Sequence, residues 1–127
     1  MHVLFCDDDS STRLIVKRIV AQRFGCRVTE CVDGAEALQV IAKDPVDLLL
    51  LDIHMPVMSG IEVVEALRGT PETHSLPIVI LSNVQDEPAI WHLVTLGVAG
   101  YVLKPPRPSA LIPKVERYLS PAQGCRI

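Results

Sequence analysis

Residues 48–60 read Leu48-Leu49-Leu50-Leu51-Asp52-Ile53-His54-Met55-Pro56-Val57-Met58-Ser59-Gly60. Four leucines in a row leave no polar side for solvent. A strand covered on one face alternates, whereas a strand covered on both faces reads as a continuous apolar run. This run stops on an acid, Asp52, and passes into a loop with a rigid proline and a permissive glycine. The stretch therefore reads as a buried parallel strand that presents a carboxylate at its carboxyl end.

Two other runs behave the same way. Val3-Leu4-Phe5-Cys6 stops at Asp7-Asp8-Asp9, and Tyr101-Val102-Leu103 stops at Lys104-Pro105. In open α/β sheets the working site lies just beyond the carboxyl ends of the strands. Three separate parts of the chain thus deliver Asp7, Asp8, Asp52 and Lys104 to one edge. Carboxylates that close cannot all stay ionised without a cation. The cluster asks for a hard divalent metal and leaves one carboxylate free to react.

Five apolar runs, at 2–6, 27–31, 47–51, 77–81 and 100–103, alternate with five helical patterns. Alternating βα units imply a doubly wound parallel sheet with helices on both faces. Right-handed crossovers limit the topology but do not fix strand order. Ser10 or Ser11 is placed to cap the first helix, which runs to about Phe24 with Leu14, Ile15, Ile19 and Val20 inward, and Gly25 ends it. Asp33-Gly34 opens the second, with Ala37, Leu38 and Ile41 inward, and Asp44-Pro45 breaks it. Ser59 and Glu62 have capping-box spacing for the third, in which Ile61, Val64 and Leu67 are in register. Pro88 suits the first turn of a fourth helix that stops near Gly97, and Trp91 is expected to pack on it with part of its ring exposed. Pro108 or Ser109 starts the fifth, with Leu111, Val115 and Leu119 as its buried stripe. Residues 1–120 then form one domain and residues 121–127 a short tail.

The bulk numbers agree with a single domain. A chain of 127 residues with 49% hydrophobic content can build a proper core. The mean hydropathy of +0.32 comes from strand-length runs, none near the ~20 apolar residues of a spanning helix. No charged leader followed by a long apolar segment opens the sequence, so no secretory signal is expected. A net charge of −3 without a basic run argues against direct nucleic-acid binding. Cys6, Cys26, Cys31 and Cys125 make no CxxC pair and read as small buried hydrophobes in a reducing cytosol.

Taken together, these residues resemble a response-regulator receiver domain, the phospho-acceptor module of two-component signalling and phosphorelays. The likeness runs from Val3 to about Leu119. It is carried by Asp7-Asp8, by Asp52 within Leu51-Asp52-Ile53-His54-Met55-Pro56, by Gly60, by Ser82 and by Lys104-Pro105. It implies a flavodoxin-like sheet of five parallel strands in the order 2-1-3-4-5 with five helices. It implies that Asp52 takes a phosphoryl group from the phosphohistidine of a sensor histidine kinase or a histidine phosphotransfer protein. Asp7, Asp8 and Asp52, with the backbone carbonyl of His54, would hold Mg²⁺. Lys104 and Ser82 would contact the phosphoryl oxygens. Ser82 and Tyr101 would form a switch, the tyrosine turning from outward to inward, that remodels the face of the fourth helix, fifth strand and fifth helix. A downstream protein or effector domain would read that face. The resemblance also implies no enzyme beyond its own phosphorylation and dephosphorylation, a cytoplasmic setting, and no direct nucleic-acid or membrane contact. It allows a phosphorylation-dependent dimer.

Some positions carry a different expectation. Asp9 reads as a solvated acid at a helix start, since three consecutive side chains do not face one metal. The His54 side chain reads as an exposed loop residue. Val84, two residues beyond Ser82, stands where the family tunes phosphoryl lifetime, and it cannot orient a water. Pro105, Pro106 and Pro108 stiffen the loop into the fifth helix. The rival from another class is an aspartyl phosphatase of the haloacid-dehalogenase type. Asp7-Asp8-Asp9-Ser10-Ser11 is a near miss to its motif, but that reading leaves Asp52 and Lys104-Pro105 unexplained. A flavin module on the same fold would carry Ser, Thr and Gly where three acids stand. An inert scaffold would lack Asp52 or Lys104.

Overall fold

The computed structural model describes residues 1–83 and 87–119. The elements in chain order are β1 (His2–Cys6), α1 (Ser10–Phe24), β2 (Arg27–Cys31), α2 (Gly34–Lys43), β3 (Leu48–Leu51), α3 (Gly60–Arg68), a short 3₁₀ turn (Pro71–Thr73), β4 (Ile78–Ser82), α4 (Glu87–Thr95), β5 (Gly100–Leu103) and α5 (Pro108–Leu119). The strands form one parallel sheet in the order β2-β1-β3-β4-β5. This is the doubly wound, flavodoxin-like order that the resemblance implied.

The leucine run of β3 explains the two layers. All four of its side chains are fully buried. Because successive side chains point to opposite faces, Leu49 and Leu51 join Leu4, Cys6, Ile78 and Ile80 on one face, under α2, α3 and α4. Leu48 and Leu50 join Val3, Phe5, Val79 and Leu81 on the other, under α1 and α5. Burying each such side chain stabilises the fold by about 1.5–3 kcal/mol, so the central strands are the most firmly held part of the chain.

Several expectations shift. β3 begins at Leu48 instead of residue 47, because Asp47 turns its carboxylate to the His2 N–H at 2.7 Å. β4 runs one residue further than expected, so Ser82 is its last residue. The α1 cap is Asp9, neither Ser10 nor Ser11. Its carboxylate accepts from Ser11 N at 3.2 Å and from the Thr12 hydroxyl at 2.6 Å. Those bonds hold the Asp9 carboxyl below its ordinary pKa, Thr12 contributing most.

The inward face of α1 is Thr12, Val16 and Val20, with Ile19 half-buried, while Leu14 and Ile15 stand exposed. Apolar residues lie all round this helix, so their spacing singles out no face. Trp91 is 67% exposed, so most of it and not just part of its ring is open to solvent. It lies two residues, about 200° of helix, from Leu93, the one buried residue of α4. The α3 capping box and the α5 stripe are present as read. Val84 and the 121–127 tail lie outside the described residues.

Candidate functional site

Three strands, β1, β3 and β5, hand their successor residues to the site through one more ladder bond each. Asp7 N donates to Cys31 O at 3.0 Å, Asp52 N to Cys6 O at 3.0 Å, and Lys104 N to Ser82 O at 3.0 Å. Asp7, Asp52 and Lys104 therefore leave the sheet from fixed backbone. Asp7 is fully buried, Asp52 is 6% exposed and Asp8 is open to solvent.

The Lys104 ammonium sits between the two buried acids. Nζ lies 2.5 Å from Asp7 Oδ2 and 3.3 Å from Asp52 Oδ2. Asp7 Oδ1 accepts from Asp9 N at 2.9 Å. Asp7 Oδ2 meets the ammonium off the hydrogen-bonding direction, so this buried oxygen is left without an aligned donor. Asp7, Asp8 and Asp52 each bring one carboxylate oxygen within 4.8 Å of the others.

Burial raises the Asp7 carboxyl pKa above its ordinary value, and the charge of Asp52 adds to this; Lys104 and the Asp9 N–H pull the other way without prevailing. For Lys104, burial disfavours the ammonium, but the close contact with Asp7 and the charges of Asp52 and Asp7 outweigh it, and its pKa rises. One cation is thus shared by two buried acids, and the balance at Asp7 leaves that acid short of positive charge. A carboxylate set with one solvent-facing member and an under-satisfied buried oxygen fits a small hard cation that keeps several waters.

The loop after Asp52 is tightly folded. Ile53 is buried, and its carbonyl accepts from Gly60 N at 2.7 Å. Met58 N donates to Pro56 O at 2.7 Å across Val57, whose φ is 69°. This three-residue turn puts a β-branched residue in the left-handed region, at a cost of about 1–2 kcal/mol. At Gly60 a Cβ would collide with the Asp52 carbonyl oxygen. His54 is exposed, as expected of a loop residue.

Ser82 is fully buried at the end of β4. Its hydroxyl is hydrogen-bonded to the phenol of Tyr101, which is half-buried against the first core layer. Burial raises the Tyr101 pKa, the Ser82 bond opposes this, and the charge of Asp52 adds to it.

One residue at the site escaped the sequence reading. Arg13 Nη1 donates to Asp7 O at 2.7 Å, and its Nε pairs with Glu30 at 3.4 Å. Its signal was present in the sequence. A cation in a helix's first turn opposes the macrodipole and needs a reason to be there. Cys6 and Cys31 are buried as read, Cys26 is half-buried, and Cys125 lies outside the described residues. The Cys6 thiol donates to Asp33 O at 3.0 Å, and its pKa is pushed far up by its hydrogen bond with the free Cys31 thiol and by burial. Among the described residues no helix is long and apolar enough to cross a membrane.

An acid pocket built this way, at the carboxyl edge of a sheet in this order, defines an aspartate-based phospho-acceptor class. The chain belongs to the response regulator receiver domain family, whose description matches residues 3–116. It is a receiver domain of two-component signalling. It is 30% identical to the chemotaxis protein CheY of Pseudomonas aeruginosa over 98% of this chain and 100% of that one. It is 32% identical to the cyclic di-GMP phosphodiesterase response regulator RpfG of Xanthomonas campestris over 87% of this chain, which spans 30% of that longer protein. The receiver domain of a sensor histidine kinase from P. aeruginosa PAO1, solved with a magnesium ion in its active-site cleft, superposes with a TM-score of 0.82 at 21% identity, over 93% of this chain and 96% of that one. The haloacid-dehalogenase reading finds no support in these comparisons.

Proposed function

We propose that Asp52 is the phospho-acceptor and that Asp7, Asp8 and Asp52, with the His54 carbonyl, hold Mg²⁺. The observation that carries this is the placement of Asp52 beside a second buried acid, with one lysine between them. An Asp52 oxygen forms the O–P bond as the N–P bond of the donor phosphohistidine breaks, and the departing imidazole keeps the electron pair. The ladder bond from Asp52 N fixes the nucleophile's position. Lys104, already within 3.3 Å, follows the charge onto the phosphoryl oxygens. Mg²⁺, when bound, supplies the positive charge that lets an anion approach an anion. Ser82 donates its hydroxyl to the phosphoryl group at the cost of its bond to Tyr101, so phosphorylation frees the tyrosine from its present partner. The partners are a sensor histidine kinase or histidine phosphotransfer protein upstream and a downstream protein or effector domain. The setting is the cytoplasm, and the domain acts as an acceptor without turnover of an outside substrate.

The test is intact mass after acetyl phosphate with and without Mg²⁺. Wild type gains one phosphoryl mass with the metal, and Asp52→Asn gains none. An Asp52→Asn protein that labels as well as wild type refutes the assignment.

A further inference from the structure

We infer that Gly34 is a positioning residue for the acid pocket, the seat on which the loop after Asp52 rests. This builds on the metal reading proposed above. Gly34 opens α2 without a left-handed backbone, the positive-φ glycines being Gly25 and Gly97. Its conformation therefore does not require glycine; its surroundings do. A Cβ there would run into the Met58 carbonyl oxygen, and would stand 2.6 Å from Val63 Cγ2 and 2.9 Å from Met58 Cβ. Real side chains do not pack that closely, and the nearest obstacle is backbone.

Met58 closes the turn that holds Val57 at positive φ. A turn of that kind relaxes unless its surroundings hold it. It is held at Gly60, which packs against the Asp52 carbonyl, and at Gly34. The seat itself is tied to the strand that carries Asp7. The Cys6 thiol donates to Asp33 O at 3.0 Å, the Asp33 carboxylate caps Glu36 N at 2.8 Å, and the Glu36 carboxylate accepts from Val32 N at 3.0 Å. Cys6 directly precedes Asp7. Gly34 thus sets the separation between the Asp7 side of the pocket and the side that carries Asp52 and the His54 carbonyl.

The test compares Gly34→Ala with Ala37→Gly, a change in the buried face of the same helix that weakens α2 without adding an atom at the seat. Three quantities are read: melting temperature, Mg²⁺ affinity by calorimetry, and exchange of the Met58 amide in metal-free protein. Both variants are expected to melt lower. Gly34→Ala alone should exchange faster at Met58 and bind Mg²⁺ about tenfold more weakly, as substitutions behind metal ligands do. Mg²⁺ affinity and Met58 exchange equal to those of Ala37→Gly make Gly34 a helix-packing residue and overturn the inference. If Gly34→Ala does not fold, Met58→Gly and Met58→Ala serve instead. The glycine removes the Cβ that meets the seat and should weaken Mg²⁺ binding, while the alanine keeps it and should not. Equal affinities for the two overturn the inference. Wild-type protein with no Mg²⁺ affinity refutes the metal assignment, while Met58 exchange in metal-free protein still decides the seat.

Discussion

Asp7 stands at the carboxyl end of β1 and α4 packs on one face of the same sheet, and they are held in opposite ways. Asp7 is fully buried, bonded through its N–H to Cys31, through its carbonyl to Arg13, and through its carboxylate to Asp9 N and Lys104. α4 buries Leu93 and leaves Trp91 and Val94 67% and 52% exposed. Its C-terminal end is tied by Arg68, which donates to Leu96 O at 2.8 Å and Gly97 O at 3.1 Å, and by the His92–Glu65 pair at 2.9 Å. The difference separates two tasks. Phosphoryl chemistry needs groups held in place before the donor arrives. A response needs an element whose alternative positions lie within a few kcal/mol of each other.

The largest break of this comparison comes from Lys104→Ala. Removing one partner of a buried ion pair costs about 3–5 kcal/mol, because the remaining charge is stranded. Asp7 and Asp52 both lose their cation, so the metal-free melting temperature should fall steeply, with partial recovery in Mg²⁺. A drop no larger than that of an exposed lysine would show that the pocket is not the rigid side.

Arg68→Ala strikes the other side. It leaves the Leu96 and Gly97 carbonyls without their charged donor, a loss of about 1.5–3 kcal/mol for each such bond before discounting for solvent. Exchange should quicken in α4 while the rate of phosphoryl uptake from acetyl phosphate stays within about twofold. A collapse in uptake would mean that the two regions are not separable.

Asp7→Asn should act in the opposite direction, adding stability in the absence of metal. Burial raises the Asp7 carboxyl pKa in the folded state. The proton is therefore held more tightly folded than unfolded. The stability linked to it is complete below the ordinary carboxylate range and is lost as pH climbs through that range to the raised value. Metal-free wild type should lose stability with rising pH in that window, and the asparagine variant should lose less. The rise in melting temperature on adding Mg²⁺ should shrink in the variant. Thermal melts across pH, with and without Mg²⁺, check all three.

Trp91→Ala should be the mildest, within about 0.5 kcal/mol, since two-thirds of the side chain is already in water. Denaturant unfolding measures it. A larger loss would place Trp91 in the core after all.

How much of this the chain disclosed beforehand follows from how locally each feature is determined. The β3 run could be read at once, since burial on both faces leaves a mark in every residue from Leu48 to Leu51. The strand-end acids and Lys104 were legible for the same reason, each following an apolar run. The α1 face was not, because its phase is set by the Asp9 cap and by what the sheet offers, not by spacing alone. Strand order came through family resemblance, not from the pattern. The Lys104–Asp7 contact joins residues 97 positions apart and leaves no local trace. The seat at Gly34 was invisible for a similar reason. Asp33-Gly34 reads as a helix opening, and only the fold brings Met58 against it.

Amide exchange with Mg²⁺, measured with and without beryllofluoride, tests the division between a fixed pocket and a responsive helix most directly. The account predicts unchanged protection in β1 and β3 and altered protection across α4. Ser82→Ala, which removes the hydroxyl now bonded to Tyr101, should abolish the α4 change while Asp52 is still phosphorylated. Changes confined to Asp52 and its own loop, with α4 the same in both states, would contradict it.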